Sequence, residues 1–148
     1  MKHGWNSTQH YLDIHESILL DYTTKYADDI YSYDIKVFSD RIILTCEKIL
    51  MIGTASGIAV RCDIVKSAEL DYTRTRARTL TYSYNANIPR GNVLFRYCSP
   101  DPGKSLDPKN HHTFHHKHDF SSGKEIITQS SQTDWYHVQE FFDEVLKL

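Results

Sequence analysis

The chain has little of what usually declares a function. Its three cysteines, Cys46, Cys62 and Cys98, are odd in number and lack C-x-x-C spacing. A disulfide framework and a thiolate zinc site are therefore not expected, and the thiols read as idle. Apolar runs are short: Ile42 to Leu44 and Ile49 to Ile52 are among the longest, far below bilayer-spanning length, and no signal-peptide stretch follows Met1. A cytoplasmic protein without a membrane partner is the expectation. There is no Gly-rich phosphate loop, no nucleophile elbow and no H-E-x-x-H helix, so nucleotide-loop, serine-hydrolase and zincin chemistry have no motif to stand on. No internal repeat is found. Acids are missing over one long stretch, because no Asp or Glu lies between Tyr72 and Pro100 while Arg74, Arg76, Arg78, Arg90 and Arg96 do. A net charge of -2 thus hides a local positive field that a polyanion could use, or a solvated arginine face.

What is present suits one domain spanning 1-148. At 148 residues and 40% apolar content the chain can bury one core. Ten tyrosines put hydroxyls on much of its apolar surface. Ile14, Ile18, Tyr22, Tyr26 and Ile30 recur every four residues, which predicts an amphipathic helix within Tyr11 to Ile30. β-branched and aromatic residues then predict strands over Ile35 to Phe38, Ile42 to Leu50 and Ile58 to Val65, with a turn at Gly53 to Gly57. Alternation from Arg74 to Tyr84 would put Arg74, Arg76, Arg78, Leu80, Tyr82 and Tyr84 on one face. A bend through Asn85, Asn87, Pro89 and Gly91 leads to Val93 to Tyr97, where Val93, Phe95 and Tyr97 oppose Arg96. A surface excursion from Ser99 to Asn110 follows. Thr133 as N-cap, Asp134 in the first turn, then Trp135, Val138, Phe142 and Val145 predict a closing helix. The expected fold is α+β, an antiparallel sheet of about five strands with an N-terminal and a C-terminal helix.

The richest segment is Asn110-His111-His112-Thr113-Phe114-His115-His116-Lys117-His118, which holds five of the nine histidines. If extended, it would send His111, Thr113, His115 and Lys117 one way and His112, Phe114, His116 and His118 the other. Imidazole can accept or donate a proton near neutrality, which suits acid-base cleavage of a phosphodiester. Lys117, Arg96 and the arginine strand could hold the phosphate. With RNA the 2′-hydroxyl is the nucleophile, so neither metal nor protein nucleophile is required. Imidazole also binds transition metals, and a divalent ion at the cluster stays open although the spacing matches no known metal pattern. The plain alternative is that these histidines are satisfied surface or core residues.

Tyr82-Ser83-Tyr84, Phe95-Arg96-Tyr97 and Phe114-His115-His116-Lys117-His118, followed by a C-terminal helix, resemble in order and spacing the TumE-type toxin family of toxin-antitoxin loci. The resemblance covers roughly Gly57 to Leu148. It implies a small α+β domain that cleaves mRNA and is held inactive by a small helix-turn-helix antitoxin, with a homodimer left open. Carried over by residue, it points to Arg96, Tyr97, His115, His116, Lys117 and His118, with His111 and His112 answering an earlier histidine pair. The family pattern continues Arg-Tyr with Asp-Asn and sets Pro before H-H-K-H; here Cys98 and Ser99 follow Tyr97, and Phe114 precedes His115. On this reading His115, His116, Lys117, His118 and Arg96 are the catalytic candidates, with His116 or His118 as base or acid. Arg74, Arg76, Arg78, Tyr82, Tyr84 and Tyr97 are the RNA-binding candidates, Tyr82 and Tyr84 by stacking on bases if exposed, the alternative being that these two pack in the core. The alternatives are a non-catalytic RNA-binding or inhibitory module, and a metal-dependent hydrolase using the histidine cluster.

Overall fold

The computed structural model describes residues 4–101, 104–105, 107–129 and 136–148. In chain order the elements are β1 (Asn6–Ser7), α1 (Thr8–Tyr26), β2 (Asp34–Val37), β3 (Arg41–Met51), β4 (Val60–Leu70), β5 (Arg76–Asn87) and β6 (Val93–Cys98). A single 3₁₀ turn (His111–Thr113), β7 (His116–Asp119), β8 (Ile126–Gln129) and α2 (Val138–Leu146) complete the chain. β2 to β8 form an antiparallel meander in sequence order, and β1 pairs with the start of β5. Among the described residues the sheet therefore has eight strands rather than about five. The excess lies in short pieces with no legible alternation: β1 has two residues, and β8, Ile126-Ile127-Thr128-Gln129, is exposed along its whole length.

α1 starts where Ser7 accepts a hydrogen bond from the His10 backbone N–H at 3.1 Å, satisfying one of the free donors of the first turn. Replacing Ser7 by Ala should cost about 1 kcal/mol, which for a chain of this size lowers Tm by roughly 2–4 °C. A Tm unchanged in calorimetry would show the cap to be idle. The helix turns Tyr11, His15, Leu19 and Thr23 into the core. This is one position away from the predicted stripe: Ile18, Tyr22 and Tyr26 only flank the core, while Ile14 and Ile30 are exposed, Ile30 beyond the helix end. Tertiary packing selects a face that includes a histidine and a threonine, and apolar periodicity alone could not find it. α2 buries Val138, Phe141, Phe142 and Val145, and its N-cap position is His137. The expected start at Thr133, Asp134 and Trp135 lies outside the described residues.

Both helices pack on one face of the sheet. β4 shows why: every second residue, Val60, Cys62, Ile64, Lys66 and Ala68, is buried towards them. Its neighbours carry bulges. In β3 the pairing shifts between Cys46 and Ile49, and Lys48, at φ 59°, donates its backbone N–H to Asp63 at 2.8 Å. In β5, Thr81 pairs with Ser67 but Thr79 pairs with Ala68, which leaves Leu80 extra. That bulge corrects the single face predicted for Arg74 to Tyr84. Ala77 and Thr79 face the core before it, and Tyr82, Tyr84 and Ala86 after it. Arg76 and Arg78 therefore lie on the opposite face from the two tyrosines. Arg74 precedes the strand, at φ 61°. Among the described residues no helix is long and apolar enough to cross a membrane.

Candidate functional site: a folded-over histidine cluster

β6 and β7 set two faces apart. Arg96 pairs with His118 and Cys98 with His116, so these four residues share the face away from the helices. Phe95 pairs with Asp119 and Tyr97 with Lys117 on the helix side. The chain before β7 is not extended: His111–Thr113 make a 3₁₀ turn. Asn110 caps it by accepting from the His112 N–H at 3.1 Å. The Thr113 hydroxyl donates to the Asp107 carbonyl at 3.0 Å and the Asn110 carbonyl at 2.8 Å. This turn folds His111 and His112 back over His116 and His118. The His111 ring lies 4.0 Å from that of His112, 5.0 Å from His116 and 5.3 Å from His118, and the His116 and His118 rings are 4.9 Å apart.

The cluster is graded in depth. His112 is exposed and His111 half-buried, whereas His116 and His118 are 1% and 3% exposed. The two deep rings are held in a defined tautomer. His116 Nδ1 donates to the Phe114 carbonyl at 2.8 Å, and His118 Nδ1 donates to the Glu125 carboxylate at 2.6 Å. Their Nε2 atoms are buried and have no hydrogen-bond partner among the described residues. Burial pushes His116 below the ordinary imidazole range against its bond to Phe114, and His118, His111 and His112 push the same way. His111 is lowered first by burial, then by His112 and His118. Cys98, half-buried beside them, has its thiol raised by burial while Arg96 opposes the rise. Arg96 is half-buried, with its Nε sealed from solvent.

The other sequence candidates fall elsewhere. His115 points to the helix side, 1% exposed, bonded through Nδ1 to the Tyr82 hydroxyl at 2.7 Å and stacked on that ring. Lys117 also faces the helices, ion-paired with Glu144 and lying 3.7 Å from Asp119. Tyr97 is buried there and donates its hydroxyl to Glu144. Tyr82 and Tyr84, 4% and 0% exposed, stack on each other in the core. Of the two readings of Tyr82 and Tyr84, packing in the core holds, and neither ring is open to bases. Arg74 and Arg76 are exposed at the far end of β5, Arg74 donating to the Phe38 carbonyl at 3.2 Å. Arg78 pairs with Glu69 and lies 4.6 Å over the Trp5 ring.

Two residues of this site escaped the sequence reading. Cys98 was legible in principle, since the alternation that sets Arg96 against Tyr97 also sets Cys98 beside Arg96. Glu125 was not, because the turn that brings it to His118 precedes a strand with no pattern of its own. Comparison with protein-family models, with curated proteins and with solved structures finds no match.

Proposed function

We propose that the chain is a toxin-type endoribonuclease that cleaves RNA at the histidine cluster, acting in the cytoplasm and restrained by a small helix-turn-helix antitoxin. The observation that carries the reading is the fold-back itself: His111 and His112 sit side by side at the surface, 4.0 Å between ring centroids, above two deeper imidazoles. Two adjacent accessible imidazoles are the minimum for moving one proton from a nucleophile and another to a leaving group. In this reading one of the pair takes the proton of the RNA 2′-hydroxyl as its oxygen attacks phosphorus. The other gives a proton to the departing 5′-oxygen. The products are a 2′,3′-cyclic phosphate and a 5′-hydroxyl end. Arg96, across the strand pair from His118, is the nearby cation for the phosphate oxygens. His115 and Lys117, turned to the helices, position β7 rather than touch substrate. Tyr82, Tyr84 and Tyr97 support it from below. Arg74, Arg76 and Arg78 offer a phosphate-attracting stretch whose contribution salt would weaken.

The experiment is end-group analysis of RNA incubated with the purified chain. The expected result is internal cleavage leaving 2′,3′-cyclic phosphate, with DNA of the same sequence untouched. RNA that is bound but intact would favour the non-catalytic binding module. Fragments ending in 3′-hydroxyl would favour a metal-dependent hydrolase.

A further inference from the structure

The surface pair would carry the proton transfers of the proposed reaction, but it leaves His116 and His118 without a task. Both are at least nine-tenths buried, and both have an Nε2 lone pair that, among the described residues, is sealed from water with no donor to meet it. A buried acceptor left without a donor loses its hydration and gains nothing in return. Two such atoms in one cluster call for a common partner. Each ring is also fixed from behind, one by a backbone carbonyl and one by a carboxylate, which is how imidazoles that bind metal are oriented and made more basic. A third donor stands with them: ligand atoms of Cys98, His116 and His118 lie within 4.8 Å of one another.

We propose that Cys98, His116 and His118 bind a zinc ion. Two imidazole nitrogens and one thiolate match the borderline softness of zinc. On binding, the Cys98 thiol releases its proton to solvent and its sulfur bonds the metal, and Arg96 beside it favours the thiolate. Three protein ligands leave a fourth position for water. His111, His112 and His116 form a second triad within the same 4.8 Å limit, but it shares His116 and includes the exposed His112. The buried set is preferred because it accounts for both unpartnered nitrogens. The ion would lock β6 to β7 beneath the surface pair. Only that last role rests on the proposed nuclease activity; the metal site rests on its own atoms.

The test uses the full chain stripped with a chelator, dialysed, and titrated with cobalt(II) alone. The expected result is saturation at one equivalent with a thiolate-to-cobalt charge-transfer absorption, displaced by zinc. Cys98→Ser, shown to be folded by circular dichroism, should lose that absorption. Glu125→Gln changes a carboxylate that is half in solvent, and should weaken cobalt affinity by about 10–100-fold as loss of an orienting group does. This second variant keeps the test intact if Cys98→Ser fails to fold. No charge-transfer band at one equivalent, or equal affinity in wild type and both variants, overturns the proposal. Binding that persists unchanged in Cys98→Ser assigns the ion to the outer triad and overturns it as well. Cobalt bound as expected by a chain that leaves RNA intact keeps the metal site and removes the nuclease reading. Cleavage by a chain that binds no cobalt does the reverse.

Discussion

His112→Ala should reduce RNA cleavage by about 10²–10⁴-fold, and His111→Ala by a similar factor, the range that positioned acid-base groups contribute. RNA affinity should change far less, because a proton-transferring group acts chiefly in the transition state while a binding group acts on ground state and product alike. Both residues lie on a short 3₁₀ turn at the surface, and neither belongs to the buried core. Their loss should therefore leave Tm nearly unchanged. Single-turnover cleavage and equilibrium binding on the same preparations separate the two effects. Full activity in both folded variants would remove the surface pair from the reaction.

Lys66→Met should stabilise the protein at neutral pH by up to about 4 kcal/mol, since each unit of pKa displacement is worth about 1.4 kcal/mol. For a chain of this size that is roughly 10 °C in Tm. Lys66 sits on the core face of β4, 2% exposed, opposite Tyr82 and among Tyr11, His15, Thr79 and His137, and no carboxylate among the described residues lines that pocket. Burial pushes its ammonium down to about 7 from an ordinary 10.5. Between those values the unfolded chain holds the extra proton, so the wild type gains stability as pH rises from about 7 to 10. The Met variant should lose that slope, which denaturant melts at several pH values would show. His15, pushed to about 3 by burial and next by Lys66, acts in the same direction lower down. It removes stability as pH falls from 6.5 towards 3. A less stable Met variant with an unchanged slope would mean that the Lys66 charge is well solvated in the folded state.

Much of the fold was legible because its signals are local. The Gly53 to Gly57 turn, the β6 alternation and the apolar stripe of α2 each follow from residues a few positions apart. Failures arose where a long-range partner overrides the local pattern. Leu80 is an ordinary alternation residue until the register with β4 makes it a bulge and turns Arg76 and Arg78 away from Tyr82 and Tyr84. The histidine segment misled for the opposite reason. Read as one extended strand, it sends His111 and His116 to opposite faces. Asn110 and Thr113 instead close a turn that brings them together. The cluster was visible in composition, but its membership was not: His115 and Lys117 drop out and Cys98 enters. Lys66, lying within a strand whose alternate positions are otherwise mostly apolar, carried no mark of burial beyond its place in that alternation.

If the surface imidazoles drive attack by the RNA's own 2′-hydroxyl, removing that one hydroxyl from the substrate abolishes the reaction. After the cleavage position in a defined RNA is mapped, the nucleotide on its 5′ side is replaced by its 2′-deoxy counterpart and single-turnover cleavage is measured. Cleavage at that position should disappear while neighbouring sites and RNA affinity persist. Cleavage at an undiminished rate through the 2′-deoxy position would contradict it, because the nucleophile would then come from water or the protein.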